Sequence, residues 1–375
     1  MKKEKKFLLG QYFTKTEVIN SLISLMQKYS PINKNSHILE PSAGTRNFVK
    51  VLNNLGFNDI EECEIDPELT KKPYDFFSFD LSNKFDFIIG NPPFTKYNLK
   101  DSYYYPKKYA DGMVKPFEYL TSSLLKKEKM QIENAFILKS IKHLKNKESS
   151  LAFVLPISFF IGKKNQEVKG ELLKRFSTII IYQNDKNWFD EPIPCCFAIF
   201  TNNASLKGKA VLLYEDGINV EEYVDINDLL TEELIPKSFL YKKENKQNGT
   251  PLSDLLENHS VEYNKSYTNN NISGKNILSR GKIPNSEKVE DYCLAVTRVG
   301  NSSVGKSGFV NPKKDILNDM FFLFEFKSEY RNDKDLKEKI CAMINENQQH
   351  FKSSTIRVGS KSIKKSDVFN FKVAI

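Results

Sequence analysis

Apolar and polar residues alternate along this chain in two distinct patterns. Short apolar runs bounded by turn-forming residues, which are typical of buried strands, lie at 37–41, 60–67, 85–90, 150–156, 177–183, 195–202 and 210–215. Between them, apolar residues recur at helical spacing over 16–29 and 133–146. Strands that alternate with helices predict an α/β protein with a doubly wound sheet. The later strands follow one another closely, which predicts a hairpin at one edge of that sheet.

The pattern changes near residue 241. Residues 241–250 are charged, contain Asn and Gly, and lack periodicity, so we interpret them as a linker between two domains. Short strand-like pieces and two helical segments follow, and the clearer helical segment lies at 329–351. We therefore predict one domain over 1–242 and a smaller α+β domain over 243–375.

The composition narrows the class of partner. The formal net charge is +9 and the isoelectric point is about 9.0, which favours a polyanion: nucleic acid first, an anionic membrane surface second. The five cysteines and four histidines show no metal-ligand spacing, so no metal site is predicted. The longest apolar run, 151–162, is too short to span a bilayer and contains a proline, so we expect a soluble intracellular protein.

The stretch FDFIIGNPPFTKY, residues 85–97, places a strand directly before an amide, two prolines and an aromatic ring. An amine on an aromatic base is a poor nucleophile because its lone pair is delocalised into the ring. Two acceptors that take both of its N–H groups would localise that lone pair, and the Asn91 side chain and the Pro92 carbonyl are suited to this task. Phe94 offers a face on which a base could stack.

Three further strand ends carry residues suited to a nucleotide-like ligand. Glu40 and Gly44 lie in a turn after a strand, where the glycine permits close approach and the carboxylate suits an ammonium group better than a phosphate. Glu64, about twenty residues later, is placed to bind ribose hydroxyls. Asp75 could accept an adenine amine while Phe76 packs on its ring. Taken singly, each also fits an ordinary turn or a surface carboxylate.

Together these segments resemble γ-type DNA adenine-N6 methyltransferases that use S-adenosylmethionine, in the layout of the TaqI type. The resemblance rests on GQYFT (10–14), EPSAG (40–44), EIDP (64–67), DFFSF (75–79) and NPPF (91–94), in that order. It covers residues 1–242 well, and TPLSDLL (250–256) resembles the start of a target-recognition domain. The resemblance implies a Rossmann-like class I methyltransferase sheet with helices on both faces, and a second domain that recognises the DNA target.

The resemblance also implies roles for individual residues. Asn91 and Pro92 would hold the target amine, and Phe94 would stack on a flipped adenine with Phe189 on its opposite face. The residues that would bind S-adenosylmethionine are Tyr12, Thr14, Glu40, Gly44, Glu64, Ile65, Asp75, Phe76 and Pro93. The sequence departs from the family at Arg46, where a second glycine is usual. The Arg46 side chain would either crowd the methionine end of the cofactor or point into solvent.

The expected substrate is double-stranded DNA, in which a base must be flipped out of the duplex to reach a recessed strand end. The Lys- and Tyr-rich segment 95–120 is interpreted either as a loop that closes over the base or as a solvated surface loop. Phosphate contacts are expected from cations of the second domain, namely Arg280, Lys282, Arg298, Lys306, Lys313, Lys314, Arg357, Lys361, Lys364 and Lys365.

Several alternatives stay open on the sequence alone. A protein-glutamine methyltransferase uses a similar NPP-aromatic segment, and cytosine N4 and RNA adenine are other acceptors for the same chemistry. Arg46 motivates a further alternative, a DNA-binding copy that kept the fold and lost catalysis. The remaining expectations are a monomer in the cytoplasm of a bacterial or virus-infected cell, and a cognate restriction endonuclease that acts separately.

Overall fold

The computed structural model describes residues 9–98, 129–215, 219–239, 249–260, 272–274, 276–300, 302–353 and 362–374. Contacts divide the chain into two compact units, Met1–Pro236 and Lys237–Ile375. This division lies slightly before the predicted boundary at 242/243. Most of the predicted linker lies outside the described residues.

The first unit is built on an eight-stranded sheet in the order β10-β9-β7-β8-β6-β3-β1-β2. Its strands are β1 (Ile38–Glu40), β2 (Ile60–Glu62), β3 (Phe87–Gly90), β6 (Ser150–Pro156), β7 (Thr178–Asn184), β8 (Cys195–Thr201), β9 (Lys209–Glu215) and β10 (Asn219–Asp225). Strands β2, β1, β3 and β6 run parallel, and β8 runs antiparallel to both β6 and β7. Every residue of β6 is buried, as expected for a strand covered on both faces of the sheet.

Helices cover both faces of this sheet. The longer helices of the first unit's described residues are α1 (Thr16–Tyr29), α2 (Asn47–Asn54), α3 (Ile132–His143) and α4 (Gln166–Arg175), and a short α5 (Asp228–Thr231) follows. Helices α1 and α2 share one core with alternate strand residues such as Ile38 and Phe87. Helix α3 packs instead against β6 and α4, outside that core. The predicted α/β sheet with helices on both faces is therefore confirmed.

Most predicted elements of the first unit lie where the pattern placed them. The predicted helix 16–29 is α1, and the predicted helix 133–146 corresponds to α3, which begins one residue earlier and ends three residues earlier. An antiparallel hairpin closes one sheet edge, but it pairs β9 with β10, a strand that was not predicted because its residues are mostly polar. A second small hairpin, β4 (Lys96–Asn98) with β5 (Lys129–Gln131), follows the end of β3.

The second unit has a four-stranded antiparallel sheet in the order β12-β15-β13-β14. The strands of the whole second unit are β11 (Thr250–Pro251), β12 (Leu256–Asn258), β13 (Cys293–Thr297), β14 (Ser307–Val310), β15 (Phe321–Phe326) and β16 (Lys372–Val373). Its helices are α6 (Leu252–Leu255), α7 (Lys334–Glu346), α8 (Gln348–Ser353) and α9 (Lys365–Phe369). Separate apolar clusters pack on this sheet, so the unit is α+β as predicted. Across the described ranges of both units, no helix is long and apolar enough to cross a membrane.

Candidate active site

A cleft opens at the carboxyl ends of β1, β2 and β3, the edge at which parallel sheets bind nucleotides. It encloses about 690 Å³, part of which is open to solvent. The predicted cofactor residues that line it are Tyr12, Thr14, Gly44, Glu64, Ile65, Asp75, Phe76 and Pro93, and Asn91 lines it with them. Of the other predicted site residues, Glu40, Pro92, Phe94 and Phe189 do not line the cleft. Residues from all five of the quoted motifs thus converge on one cleft.

The turn after β1 forms one wall of the cleft. Gly44 has a left-handed φ of +53°, and a Cβ atom there would lie 2.8 Å from the Phe13 ring, so both its conformation and its surroundings require glycine. The Gly44 N–H donates to Glu64 Oε2 at 2.6 Å, and Glu64 Oε1 accepts from the Asp66 N–H at 2.7 Å. Glu64 therefore ties the ends of β1 and β2 together. A carboxylate accepts up to about four hydrogen bonds, which leaves capacity for ribose hydroxyls.

Arg46 ends this turn and points away from the cleft. It has a left-handed φ of +65°, a conformation in which glycine is the easiest residue. Its Nε donates to Glu62 Oε2 at 2.8 Å, and about half of the side chain is exposed. Arg46 is not among the cleft-lining residues. Of the two orientations expected from the sequence, the structure shows the outward one, so Arg46 leaves the cleft open.

Glu40 lies buried beside the cleft with one oxygen unsatisfied. Oε1 accepts from the Ser42 N–H at 3.2 Å, whereas Oε2 has no hydrogen-bond partner within the described structure. The neighbouring strand end must be Gly90, because a Cβ atom there would overlap Glu40 Oε1. Burial raises the pKa of Glu40 well above its usual value, and the Glu64 and Glu62 carboxylates add to this effect. A cationic ligand group next to Glu40 would favour its charged form.

The opposite end of the cleft combines a carboxylate with aromatic rings. Asp75 is buried and its Oδ1 accepts from the Phe77 N–H at 3.0 Å, which caps the single turn Phe76–Ser78. The Phe76 ring stacks on Phe136 with the ring centroids 5.1 Å apart. Lys139 is buried beneath this turn and donates from Nζ to the Phe79 carbonyl at 2.8 Å. These contacts hold an acidic, aromatic surface in place that suits a purine carrying an amine.

Asn91 directly follows β3, and its amide is held in one orientation. Nδ2 donates to the Tyr12 carbonyl at 2.5 Å, and the Asn91 carbonyl accepts from Ser42 Oγ at 3.0 Å. Asn91 Oδ1 is buried and accepts no hydrogen bond from any described residue. An unsatisfied buried acceptor is costly in a protein interior. A ligand with an N–H group is the natural partner for this oxygen.

The two predicted stacking rings lie next to each other. Phe94 is half-buried and Phe189 is almost fully buried. Their ring centroids are 6.0 Å apart, and the ring planes make an angle of 86°, so they touch edge to face. In this arrangement they do not form two parallel faces, and a two-ring clamp on a base requires one ring to move.

Several cleft residues were not identified from the sequence, namely Gln11, Phe13, Ser42, Asn47, Tyr74 and Phe136. Gln11 and Phe13 lie inside the quoted GQYFT motif, beside residues that were chosen. Asn47 Nδ2 donates to the Thr14 carbonyl at 2.8 Å, a contact that joins positions 33 apart. No local pattern indicates such a contact, since it depends on how α2 meets the segment before α1.

The predicted DNA-contacting segments are only partly visible. Residues 99–128, which hold most of the proposed loop, lie outside the described residues, as do Arg357 and Lys361. Four of the other predicted phosphate-binding cations have acidic partners within the second unit, namely Arg280 with Asp315, Arg298 with Asp319, Lys313 with Asp291 and Lys314 with Glu287. This pairing reduces the positive field that the sequence suggests.

One group of potential metal ligands occurs in the described part of the second unit, formed by His259, Cys293 and Glu325. Glu325 lies 2.5 Å from His259 Nδ1 and 3.3 Å from Arg331 Nη2. Burial raises the pKa of the Cys293 thiol to about 12, which keeps it protonated. Glu325 thus contacts both His259 of this group and Arg331.

Residues 13–189 match the model of the Eco57I restriction-modification methylase family. Over 201 residues the chain is 31% identical to the type II methyltransferase M.HincII of Haemophilus influenzae, which covers 50% of this chain and 36% of the relative. The modification methylase CviBIII of Paramecium bursaria Chlorella virus NC1A is 28% identical over 168 residues, covering 41% of this chain and 39% of the relative. The chain thus spans little more than a third of the length of these relatives.

Among solved structures, the type IIG restriction endonuclease BpuSI aligns with 96% of this chain and 58% of its own chain. The sequence identity is 11% and the TM-score is 0.48.

Proposed function

Because residues 13–189 match the model of the Eco57I restriction-modification methylase family, we propose that this chain is a site-specific DNA methyltransferase. It transfers a methyl group from S-adenosylmethionine to the N6 amine of an adenine that is flipped out of a short site in double-stranded DNA. Adenine N6, base flipping and the cofactor are parts of this proposal. So is the assignment of residues 243–375 to target recognition.

The observation that carries the proposal is the Asn91 amide at the end of β3. Its nitrogen is occupied by the Tyr12 carbonyl, and its buried Oδ1 accepts no hydrogen bond from the described residues. The one atom left for a ligand is thus an acceptor, which suits an amine. A protein hydroxyl or a nucleophilic side chain is not needed for this chemistry.

Features of the cleft itself support S-adenosylmethionine as the cofactor. Glu40 Oε2 is buried without a hydrogen-bond partner among the described residues, beside a turn in which Gly44 permits close approach. Glu40 would face the cationic methionine end, Glu64 the ribose, and Asp75 the adenine amine. S-adenosylmethionine, when bound, supplies a methyl group activated by its sulfonium centre.

The tip residues act on the target amine. Asn91 Oδ1 and the Pro92 carbonyl would each accept one N–H group, which draws the nitrogen toward tetrahedral geometry and localises its lone pair. The two prolines keep both acceptors rigid, so the nitrogen is aligned for attack on the methyl carbon. After transfer, the nitrogen is cationic and its proton is acidic, so release to water needs no strong base. The outward position of Arg46 supports an active enzyme over a degenerate copy.

The test is methyl transfer by the purified full chain. With tritiated S-adenosylmethionine and unmethylated plasmid DNA, we expect label in DNA, and Asn91→Ala should lower turnover by about 10²–10³ because one pre-organised hydrogen-bond partner is lost. Asn54→Ala, at an exposed asparagine at the end of α2, is the matched control. Sequencing of modified bases in DNA from cells that express the chain identifies base and site together.

Three outcomes would contradict the proposal. Label on a protein glutamine and none on DNA would indicate the alternative acceptor. Failure of calorimetry to detect S-adenosylmethionine binding would indicate a DNA-binding protein without catalysis. Full activity of Asn91→Ala would show that methyl transfer does not depend on the Asn91 amide.

A further inference from the structure

Tyr12 completes a triangle of aromatic rings beside Asn91. Its ring centroid lies 6.2 Å from that of Phe94 and 6.3 Å from that of Phe189, and its plane is tilted by 30° and 56° from theirs. A base held between two rings needs a gap of about 3.5–4 Å on each face, which places the two rings about 7–8 Å apart and parallel. No pair in this triangle offers such a gap. A base could therefore enter between two of these rings only if one of them moves.

The three rings differ in how firmly they are held. Phe189 is 1% exposed and belongs to the core beneath α1. Phe94 follows two prolines, which restrict the backbone that carries it. Tyr12 is half-buried and lies in segment 10–14, which has no helix or strand. Tyr12 and Phe94 both pack at the edge of that core, and of the two only Tyr12 lacks a preceding pair of prolines that restricts its backbone.

Segment 10–14 also connects the cofactor cleft to the tip of β3. The Tyr12 carbonyl accepts from Asn91 Nδ2 at 2.5 Å, and the Gly10 carbonyl accepts from the Phe94 N–H at 3.2 Å. On the other side, Gln11 Nε2 donates to Asp66 Oδ2 at 2.7 Å, just beyond β2. These bonds use the backbone of Tyr12 and the side chain of Gln11. Rotation of the Tyr12 ring about its side-chain bonds would therefore leave the Asn91 contact intact.

On the basis of the proposed function, we propose that the Tyr12 ring gates the target-base pocket. Its ring occupies the stacking position while no DNA is bound and leaves when an adenine enters, and its carbonyl keeps the Asn91 amide oriented throughout. Entry of the base is then an exchange of one aromatic partner for another. Because a base stacks favourably on aromatic side chains, the exchange recovers much of what displacement of Tyr12 costs.

Removal of the gate should create a pocket that accepts a free base. We test this with Tyr12→Ala titrated with 9-methyladenine by calorimetry, with S-adenosylhomocysteine present at saturation so that the cofactor cleft is filled. We expect Tyr12→Ala to bind 9-methyladenine at least tenfold more tightly than the wild type, and Tyr12→Phe, which keeps the ring, to behave as the wild type. Tyr12→Ala/Asn91→Ala should lose the binding, because the amide acceptor is gone.

Tyr223→Ala is the matched control, since Tyr223 is an exposed tyrosine of β10 that neither lines the cleft nor belongs to the triangle. Equal affinity of wild type and Tyr12→Ala for 9-methyladenine would overturn the proposal, as would no saturable binding by a folded Tyr12→Ala. If Tyr12→Ala does not fold, the second test is the full chain with fluorotyrosine incorporated at position 12. Its ¹⁹F resonance should shift with unmethylated plasmid DNA and S-adenosylhomocysteine, and an unchanged resonance would refute the gate.

Failure of the proposed function is distinguishable from failure of the gate. If the wild type does not bind S-adenosylhomocysteine or does not transfer methyl groups, the proposed function is refuted. The 9-methyladenine comparison, repeated without S-adenosylhomocysteine in that case, still reports whether the Tyr12 ring fills a pocket for a base.

Discussion

Gly44 is the position at which one added methyl group should harm both stability and cofactor binding. Its φ of +53° places it in the left-handed region, and the new Cβ atom of Gly44→Ala would lie 2.8 Å from Cδ1 and Cε1 of Phe13. The left-handed conformation costs a non-glycine residue about 1–2 kcal/mol. Overpacking against the Phe13 ring adds about 1–3 kcal/mol. We therefore expect Gly44→Ala to lower the free energy of unfolding by about 2–5 kcal/mol.

Gly208→Ala separates these two costs. Gly208 also has a left-handed φ, +79°, but a Cβ atom there meets nothing within 4 Å. It lies in the same unit, just before β9, so the same unfolding transition reports on both variants. Gly208→Ala should therefore lose only the conformational part, about 1–2 kcal/mol.

Urea unfolding of the three proteins measures the stabilities, and calorimetric titration with S-adenosylhomocysteine measures the affinities. We expect Gly44→Ala to bind at least tenfold more weakly than Gly208→Ala, because Gly44 and Phe13 both line the cleft. In a double-mutant cycle, Phe13→Ala should remove the extra destabilisation of Gly44→Ala. Equal destabilisation by Gly44→Ala and Gly208→Ala, or wild-type affinity of Gly44→Ala, would refute this reasoning.

Two further predictions concern charged residues near the cleft. Arg46→Gly should change the affinity for S-adenosylhomocysteine less than threefold, because the Arg46 side chain pairs with Glu62 outside the cleft. A tenfold gain in affinity, measured by calorimetry, would show that Arg46 obstructs binding. Burial raises the pKa of Glu40, so the folded protein keeps a proton on this carboxyl group at pH values where the unfolded chain loses it. The free energy of unfolding therefore falls as pH rises from the unfolded-state pKa toward the folded-state pKa. Glu40→Gln has no such proton, so its urea midpoint should fall less than that of the wild type between about pH 5 and about pH 8, and equal slopes would contradict the assignment.

The recognisable part of the site lies in short local motifs. EPSAG, EIDP and NPPF each follow directly after a buried strand, and the carboxyl ends of parallel strands meet at one edge of a sheet. The predicted alternation of strands and helices therefore put Gly44, Glu64 and Asn91 at one edge of the sheet, and the family resemblance assigned them to one site. Their shared cleft follows from the topology β2-β1-β3, with no need for side-chain detail.

Other features depended on contacts between distant segments. The Tyr12 carbonyl and the Asn91 amide are 79 positions apart, and only the packing of segment 10–14 against β3 brings them into hydrogen-bond distance. The edge-to-face contact of Phe94 with Phe189 was likewise unpredictable, because motif order says which rings are neighbours but not how their planes are set.

Hydrophobic periodicity and strand-end chemistry are local properties of the chain, so the sequence alone was enough to predict the α/β class, a division into two parts and strand-end residues of the cleft such as Gly44, Glu64 and Asn91. The tertiary structure decided the direction of Arg46, the unsatisfied Oδ1 of Asn91 and the closed ring triangle around Tyr12. Each of these is set by a partner remote in sequence, whose position is fixed only when the sheet and its helices have packed.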